Sequence, residues 1–415
     1  MELKVLDLCT GMGGFHHAGI DNPFVTTVCT AEIDSFCKKH IDQNLGLENV
    51  GDLTSINTPI AQHPFAEMVE ADLVPVEETG LTSITMEEIN EGIVEINCIT
   101  AGSPCQQVSP LNTLHNSEGI NGKDSGLIHE VLDHVEDLDV DYFILENHAL
   151  LRKRGMVHIL ERLSSLDYII EYETVTGTAV GFPHYRHRLY LAAYKPTTPI
   201  ARSGRRAFDV LRRIAQKAKP NDNFPLPSEI SKDELYKIAV VENPKSIKLR
   251  TKRLNAVGNT VIPLIPKAIF KGLTNAFSSK VDRTPKPRPK ERYIASFTSD
   301  GLRPEQMDLF NDNGLLEEVP SHGYMINGEL FSGDRDYNLN PQNTTYKNLY
   351  STAHCRDGNN NFSPSRLRRP GKMGGLVSDV MKAVGATAGG LNPTFSEQLL
   401  GYPADFTKLP DNKAY

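Results

Sequence analysis

The residue best placed for covalent chemistry is Cys105, in Gly102-Ser103-Pro104-Cys105-Gln106 directly after the strand-like run Ile96 to Thr100. A free cysteine is ordinarily a small, inert buried residue. Cys9, Cys29, Cys37 and Cys98, in or beside apolar strand and helix patterns, fit that description. Cys105 differs by position: a glycine and a proline at a strand end expose the thiol, and nearby turn and helix dipoles favour the thiolate. Such a nucleophile needs an electrophile made reactive by protonation or hydrogen bonding, so an acidic partner is informative. Glu146, closing the strand-like Tyr142 to Leu145 and followed by Asn147 and His148, is the candidate. In Gly181-Phe182-Pro183-His184-Tyr185-Arg186-His187-Arg188-Leu189-Tyr190, Arg186 and Arg188 stand two residues apart before a strand. That spacing points both the same way, one to orient a substrate carbonyl and the other to hold a loop or a phosphate. His184 and His187 have no third ligand spaced for them, so no metal is expected.

Upstream, Asp7-Leu8-Cys9-Thr10-Gly11-Met12-Gly13-Gly14-Phe15 joins a strand to a helix through a glycine turn. Gly11, Gly13 and Gly14 let a ligand approach the backbone, and the helix start after them favours a carboxylate or phosphate. His16 stands where G-x-G-x-x-G needs its third glycine, which argues against NAD or FAD and leaves room for another nucleoside-containing ligand. Glu32, ending the next strand, is placed to accept from ribose hydroxyls, and Asp52, in Gly51-Asp52-Leu53, from an adenine amino group. For both acids the competing reading is a loop carboxylate or helix cap.

These groups need a scaffold that carries successive strand ends to one edge. Leu3 to Leu8, a helix from Phe15 to Ala18 and Val25 to Ala31 form a strand, turn, helix, strand unit. Further strand-like runs end at Thr100, Leu145 and about Val175, with Leu189 to Ala193 another, and helices Gly126 to Val135 and Met156 to Leu163 lie between. The expected class is α/β, a Rossmann-like, doubly wound, mostly parallel sheet that binds ligands at its carboxyl edge. Regularity lapses between about 196 and 245, then returns at Ala256 to Pro263 and a helix Pro266 to Phe277. The Lys/Arg/Pro-rich run Lys280 to Arg292 reads as a linker, and the Asn-, Gly- and Ser-rich stretch to about 375 as a smaller loop-rich domain. Asn392 can cap a last helix with Pro393 at its first position and Gly401 beyond its end. The expected division is 1–280, 281–390 and a tail 391–415 that returns to the first domain.

With 415 residues and a net charge of −8, the chain is not coated in positive charge, so any nucleic-acid contact must come from local basic surface. Two runs offer it: 202–219, with Arg202, Arg205, Arg206, Arg212, Arg213, Lys217 and Lys219, and 245–253, with Lys245, Lys248, Arg250, Lys252 and Arg253. Six cysteines without a C-x-x-C pair fit a reducing, cytoplasmic setting, and no leader or membrane-length apolar run is evident.

Taken in order, these segments resemble the cytosine-5 DNA methyltransferases that use S-adenosylmethionine, over most of residues 4–192 and 256–265. Asp7 to Phe15 resembles the family's cofactor loop, Pro104-Cys105-Gln106 its nucleophile motif, Glu146-Asn147 its glutamate motif, Arg186 and Arg188 its paired arginines, and Gly258-Asn259-Thr260-Val261 its late cofactor segment. The resemblance implies a class I methyltransferase fold and catalysis by Cys105, Glu146, Arg186 and Arg188. It further implies cofactor contacts from Asp7, Gly11, Gly13, Gly14, Phe15, Glu32, Ile33, Asp52, Leu53, Pro104, Asn259 and Thr260. The substrate would be double-stranded DNA, the enzyme a monomer, and the setting restriction-modification with a cognate endonuclease, or phage anti-restriction. Two departures are His148 where valine is usual and His184 where glutamine is usual. Only about 65 residues separate the arginine pair from Gly258, too few for a large recognition region, which is therefore expected in roughly 283–390. An RNA cytosine-5 methyltransferase and a silent DNA-binding homologue are the alternatives.

Overall fold

Alternation along the first strands sends apolar side chains to both sides of a sheet. In β1 (Leu3–Leu8) and β4 (Tyr142–His148), Leu3, Val5, Tyr142 and Ile144 enter one core, while Leu6, Leu8, Phe143 and Leu145 enter a second. A sheet buried on both faces needs helices on both. Phe15 and Ala18 of the helix Gly14–Gly19, with Ile265 and Ile269 of Leu264–Thr274, cover the first face. Val131 and Val135 of Leu127–Asp137, with Ile159 and Leu163 of Met156–Ser165, cover the second. The doubly wound α/β class expected from the sequence is the one adopted. This computed structural model describes residues 1–55, 95–102, 126–305, 314–333, 339, 349–360, 362–368 and 375–410. Pro104 and Cys105 lie outside the described residues.

The sheet runs in the order β2-β1-β3-β4-β6-β5-β10-β11-β8-β9. Here β2 is Val25–Ala31, β3 Cys98–Ala101, β5 Ile169–Thr176 and β6 His187–Tyr194. The short β7, Val240–Val241, pairs with Gly390–Leu391 outside this sheet, and the next strands in it are β8, Glu291–Thr298, β9, Gly301–Pro304, β10, His322–Ile326, and β11, Glu329–Gly333. β1 pairs in parallel with β2 and β3, and β3 with β4, whereas β6 lies antiparallel between β4 and β5. Because β6 runs backwards, its first residues meet the carboxyl end of β4, with Arg188 opposite His148 and Tyr190 opposite Glu146.

Past residue 281 the chain continues the same sheet, through β10 pairing antiparallel with β5 from His322↔Glu173 to Met325↔Ile170. Arg206 stacks 3.3 Å over the Tyr324 ring and pairs with Glu291 at 3.1 Å, tying β8 and β10 to the chain after β6. The turn Cys355–Asn359 packs on the helix Arg250–Asn259. The tail helix Pro393–Leu399 forms as its sequence signals direct, with Asn392 accepting from the Thr394 amide at 3.2 Å and Gly401 at φ +89°. Among the described residues no helix is long and apolar enough to cross a membrane.

Several arginines of the two basic runs are internal. Arg212 pairs with buried Glu173 at 2.8 Å, Arg253 with buried Glu397 at 2.9 Å, and Arg250 donates to the Leu391 carbonyl at 2.8 Å. With Arg206 these four are therefore structural, and their runs offer DNA only their exposed members, such as Lys245, Lys248 and Lys252.

Candidate active site

The carboxyl edge of the sheet carries a cavity of about 340 Å³. Gly11, Glu32, Ile33, Asp52, Leu53, Glu146, Arg186, Arg188 and Asn259 all line it, although up to 248 residues separate them in the chain (Gly11 to Asn259). Strand ends explain most of this: each βα connection leaves the same edge of the sheet.

On the cofactor side, Gly11 (φ +59°) has nothing within 4 Å of where a Cβ would stand, so the loop backbone there faces open space. Gly13 and Gly14 serve packing instead. A Cβ on Gly13 would lie 2.4 Å from Leu45, and one on Gly14 would lie 2.6 Å from Val261 and 2.8 Å from the Tyr402 hydroxyl. Phe15 is buried in the core beneath the loop. The Glu32 carboxylate takes three backbone amides, Oε2 from Gly11 at 2.7 Å and Oε1 from Ile33 at 2.8 Å and Asp34 at 2.7 Å. It thus ties the glycine loop to the end of β2, while Oε2 keeps further acceptor capacity. Asp52 accepts from the Thr54 amide and hydroxyl through one oxygen, capping a short turn at the cavity wall. Ile33 is one of the few large apolar side chains exposed among the described residues. Asp7 is buried under the loop; Oδ1 accepts from the Thr100 hydroxyl at 2.6 Å and Oδ2 has no hydrogen-bond partner among the described residues. Burial pushes its carboxyl up to about 7. An open glycine backbone, two carboxylates and an exposed aliphatic side chain on one wall fit a nucleoside with a charged side group.

In the same cavity Glu146 and Arg188 meet, with Nε 3.0 Å from Oε1 and both side chains largely buried. Burial raises the Glu146 pKa, and the Arg188 and Arg186 charges only partly oppose it. The carboxyl is therefore one that can hold or share a proton. Arg186 does a different task. Its guanidinium donates to the carbonyls of Gly258 and Ala353, each at 3.3 Å, and to that of Thr260, which clamps the Gly258-Asn259-Thr260 segment and the chain at 353 against the sheet. Thr260 continues the link, its hydroxyl 2.6 Å from that of Tyr402, which also donates to the Val261 carbonyl at 3.1 Å. Cys9 also lines the cavity, but burial and nearby carboxylates push its thiol up to about 12, so it is not a thiolate there.

Sequence reading gave Lys252 only as one cation of a basic run and did not single out Asn255 or Tyr402 as cavity residues. Lys252 and Asn255 lie on one face of the helix Arg250–Asn259, Asn255 three residues after Lys252 and four before Asn259, and this spacing was the available signal. Tyr402 reaches the loop through the return of the tail, which was expected for 391–415 as a whole without this residue being singled out.

The sequence profile of the C-5 cytosine-specific DNA methylases matches residues 3–261. The chain is 24% identical over 200 residues to the type II methyltransferase M.BsuFI of Bacillus subtilis, covering 47% of this chain and 40% of that protein. It is 28% identical over 108 residues to the type II methyltransferase M.Sau3AI of Staphylococcus aureus, covering 24% of this chain and 26% of that one. The chain thus spans well under half the length of these curated relatives. Among solved structures, the S. pombe Dnmt2 methyltransferase aligns with a TM-score of 0.33 at 16% identity, over 47% of this chain and 50% of that one.

Proposed function

Because the chain belongs to the C-5 cytosine-specific DNA methylase family, we propose that it methylates carbon 5 of a cytosine within a short sequence of double-stranded DNA, using S-adenosylmethionine. Carbon 5 of cytosine is a poor nucleophile. The Cys105 thiolate adds to carbon 6, and Glu146, acting on ring nitrogen N3, draws the displaced electron pair so that carbon 5 becomes enamine-like. Arg188 holds Glu146 and the carbonyl O2, while Arg186 keeps the wall behind them in place. Bound S-adenosylmethionine supplies an electrophilic methyl group. Afterwards a base removes the carbon 5 proton and the thiolate leaves, restoring the aromatic ring. Stacking hides both ring faces in a duplex, so the cytosine is flipped into the cavity.

The observation that carries this reading is a raised-pKa Glu146 paired with Arg188 across one cavity from Gly11, Glu32 and Asp52. The nucleoside-type wall supports contacts to S-adenosylmethionine from the loop, Glu32, Ile33, Asp52 and Leu53. We assign sequence recognition to 281–390, because residue 353 of that segment is bonded to Arg186 beside the cavity. We further propose action as a monomer in the cytoplasm, and the type II methyltransferase names of the relatives favour a restriction-modification setting with a cognate endonuclease.

The test is transfer of labelled methyl from S-adenosylmethionine to unmethylated genomic DNA, followed by bisulfite sequencing. Label on cytosine carbon 5 in a fixed short motif, abolished by Cys105→Ser, is the expected result. Transfer to RNA alone, or cofactor binding without transfer, overturns it.

A further inference from the structure

We propose that His148 positions the DNA, its Nε2–H donating a hydrogen bond to a phosphate oxygen of the flipped nucleotide. This deepens the function proposed above and rests on it. His148 ends β4, two residues beyond Glu146 and so on the same side of the strand, roughly 6.6 Å farther along it. It sits directly across from Arg188 in the antiparallel register and lines the same cavity as both. Its Nδ1 accepts from the Leu150 amide at 3.1 Å. A backbone amide can only donate, so the proton of the neutral ring is on Nε2, which has no partner among the described residues.

The ring is held neutral by its surroundings. Burial and the nearby Arg188, His187, Arg186 and Arg154 push its pKa down to about 3. His148 is thus a single, fixed, uncharged donor. Glu146 and Arg188 occupy the part of the wall that meets the reading edge of a base. The backbone of an extruded nucleotide runs beside its base, so a donor one strand step from Glu146 and Arg188 suits the phosphate oxygens, the strong acceptors of that backbone.

Two substitutions separate this role from a structural one. His148→Asn keeps an acceptor for the Leu150 amide but falls short of Nε2, whereas His148→Gln places an amide N–H near the Nε2 position. In steady-state methyl transfer to genomic DNA, His148→Asn is expected to raise KM for DNA roughly tenfold, with kcat and KM for S-adenosylmethionine within about twofold of wild type. Its Tm stays at the wild-type value, and His148→Gln recovers most of the DNA affinity. The salt dependence of DNA binding keeps its slope, because an uncharged donor releases no counterion. An unchanged KM in His148→Asn, a loss that follows Tm, a failure of His148→Gln to recover, or a shallower salt slope each overturns the proposal. A wild-type protein that transfers no methyl to DNA defeats the proposed function and this inference together. Wild-type transfer with an unchanged KM in His148→Asn defeats only this one.

Discussion

Asp7 shows how a single residue couples the glycine loop to the stability of the fold. Its carboxyl is buried beneath the loop with Oδ1 bonded to the Thr100 hydroxyl, and desolvation moves its pKa from 3.8 to about 7. Between those values the folded chain binds a proton that the unfolded chain has lost, so this residue's share of stability is full below 3.8 and is lost as pH rises toward 7. In cofactor-free protein, Asp7→Asn should match wild type near pH 4 and be the more stable by pH 8, by up to about 4 kcal/mol. Thermal melts of the pair across that range check it; a difference independent of pH contradicts it. Glu32 and the arginine pair carry a second lesson at this scale. Residue type made them candidates but did not separate their contacts: Glu32 spends three acceptor positions on backbone amides, and of the two arginines Arg186 is the clamp while Arg188 faces Glu146.

Among the elements, the helix Arg250–Asn259 forms one wall of the cavity and is held from two sides. Arg253 anchors it to Glu397 in the tail, and Gly258 lets the chain at 354–355 lie directly against it. A Cβ on Gly258 would stand 2.1 Å from the backbone of His354 and Cys355, atoms that cannot move aside as a flexible side chain can. Gly258→Ala is therefore expected to cost about 1–3 kcal/mol and to free the 353–360 segment. A lowered Tm with faster proteolytic cleavage in that segment checks this, and wild-type values for both refute it. Element types were legible from periodicity, since both core faces of β1 and β4 can be read from alternation and the tail helix from its Asn392-Pro393 start. The direction of β6 was not, because a strand's residues carry no mark of the neighbour it will pair with. That direction is what sets Arg188 opposite His148 and beside Glu146.

Across the whole molecule the sheet is continuous from β2 to β9, and the β5–β10 seam joins the first 280 residues to the rest. Arg206, stacked on Tyr324 and paired with Glu291, crosses that seam. The two parts are expected to unfold together in urea, with fluorescence and far-ultraviolet circular dichroism tracing one transition; two separated transitions would show that β8–β11 fold independently. Loss of regular alternation after residue 280 could not reveal this seam, because register against β5 is a long-range choice with no local signature. The sequence by itself determined the class of the fold, the order of its chemical groups and the family resemblance, since periodicity, glycine turns and reactive side chains are local properties of the chain. Only the tertiary structure decided which arginine faces the carboxyl, which cations are internal and which distant segments close the cavity, because those follow from strand order, register and the return of the tail.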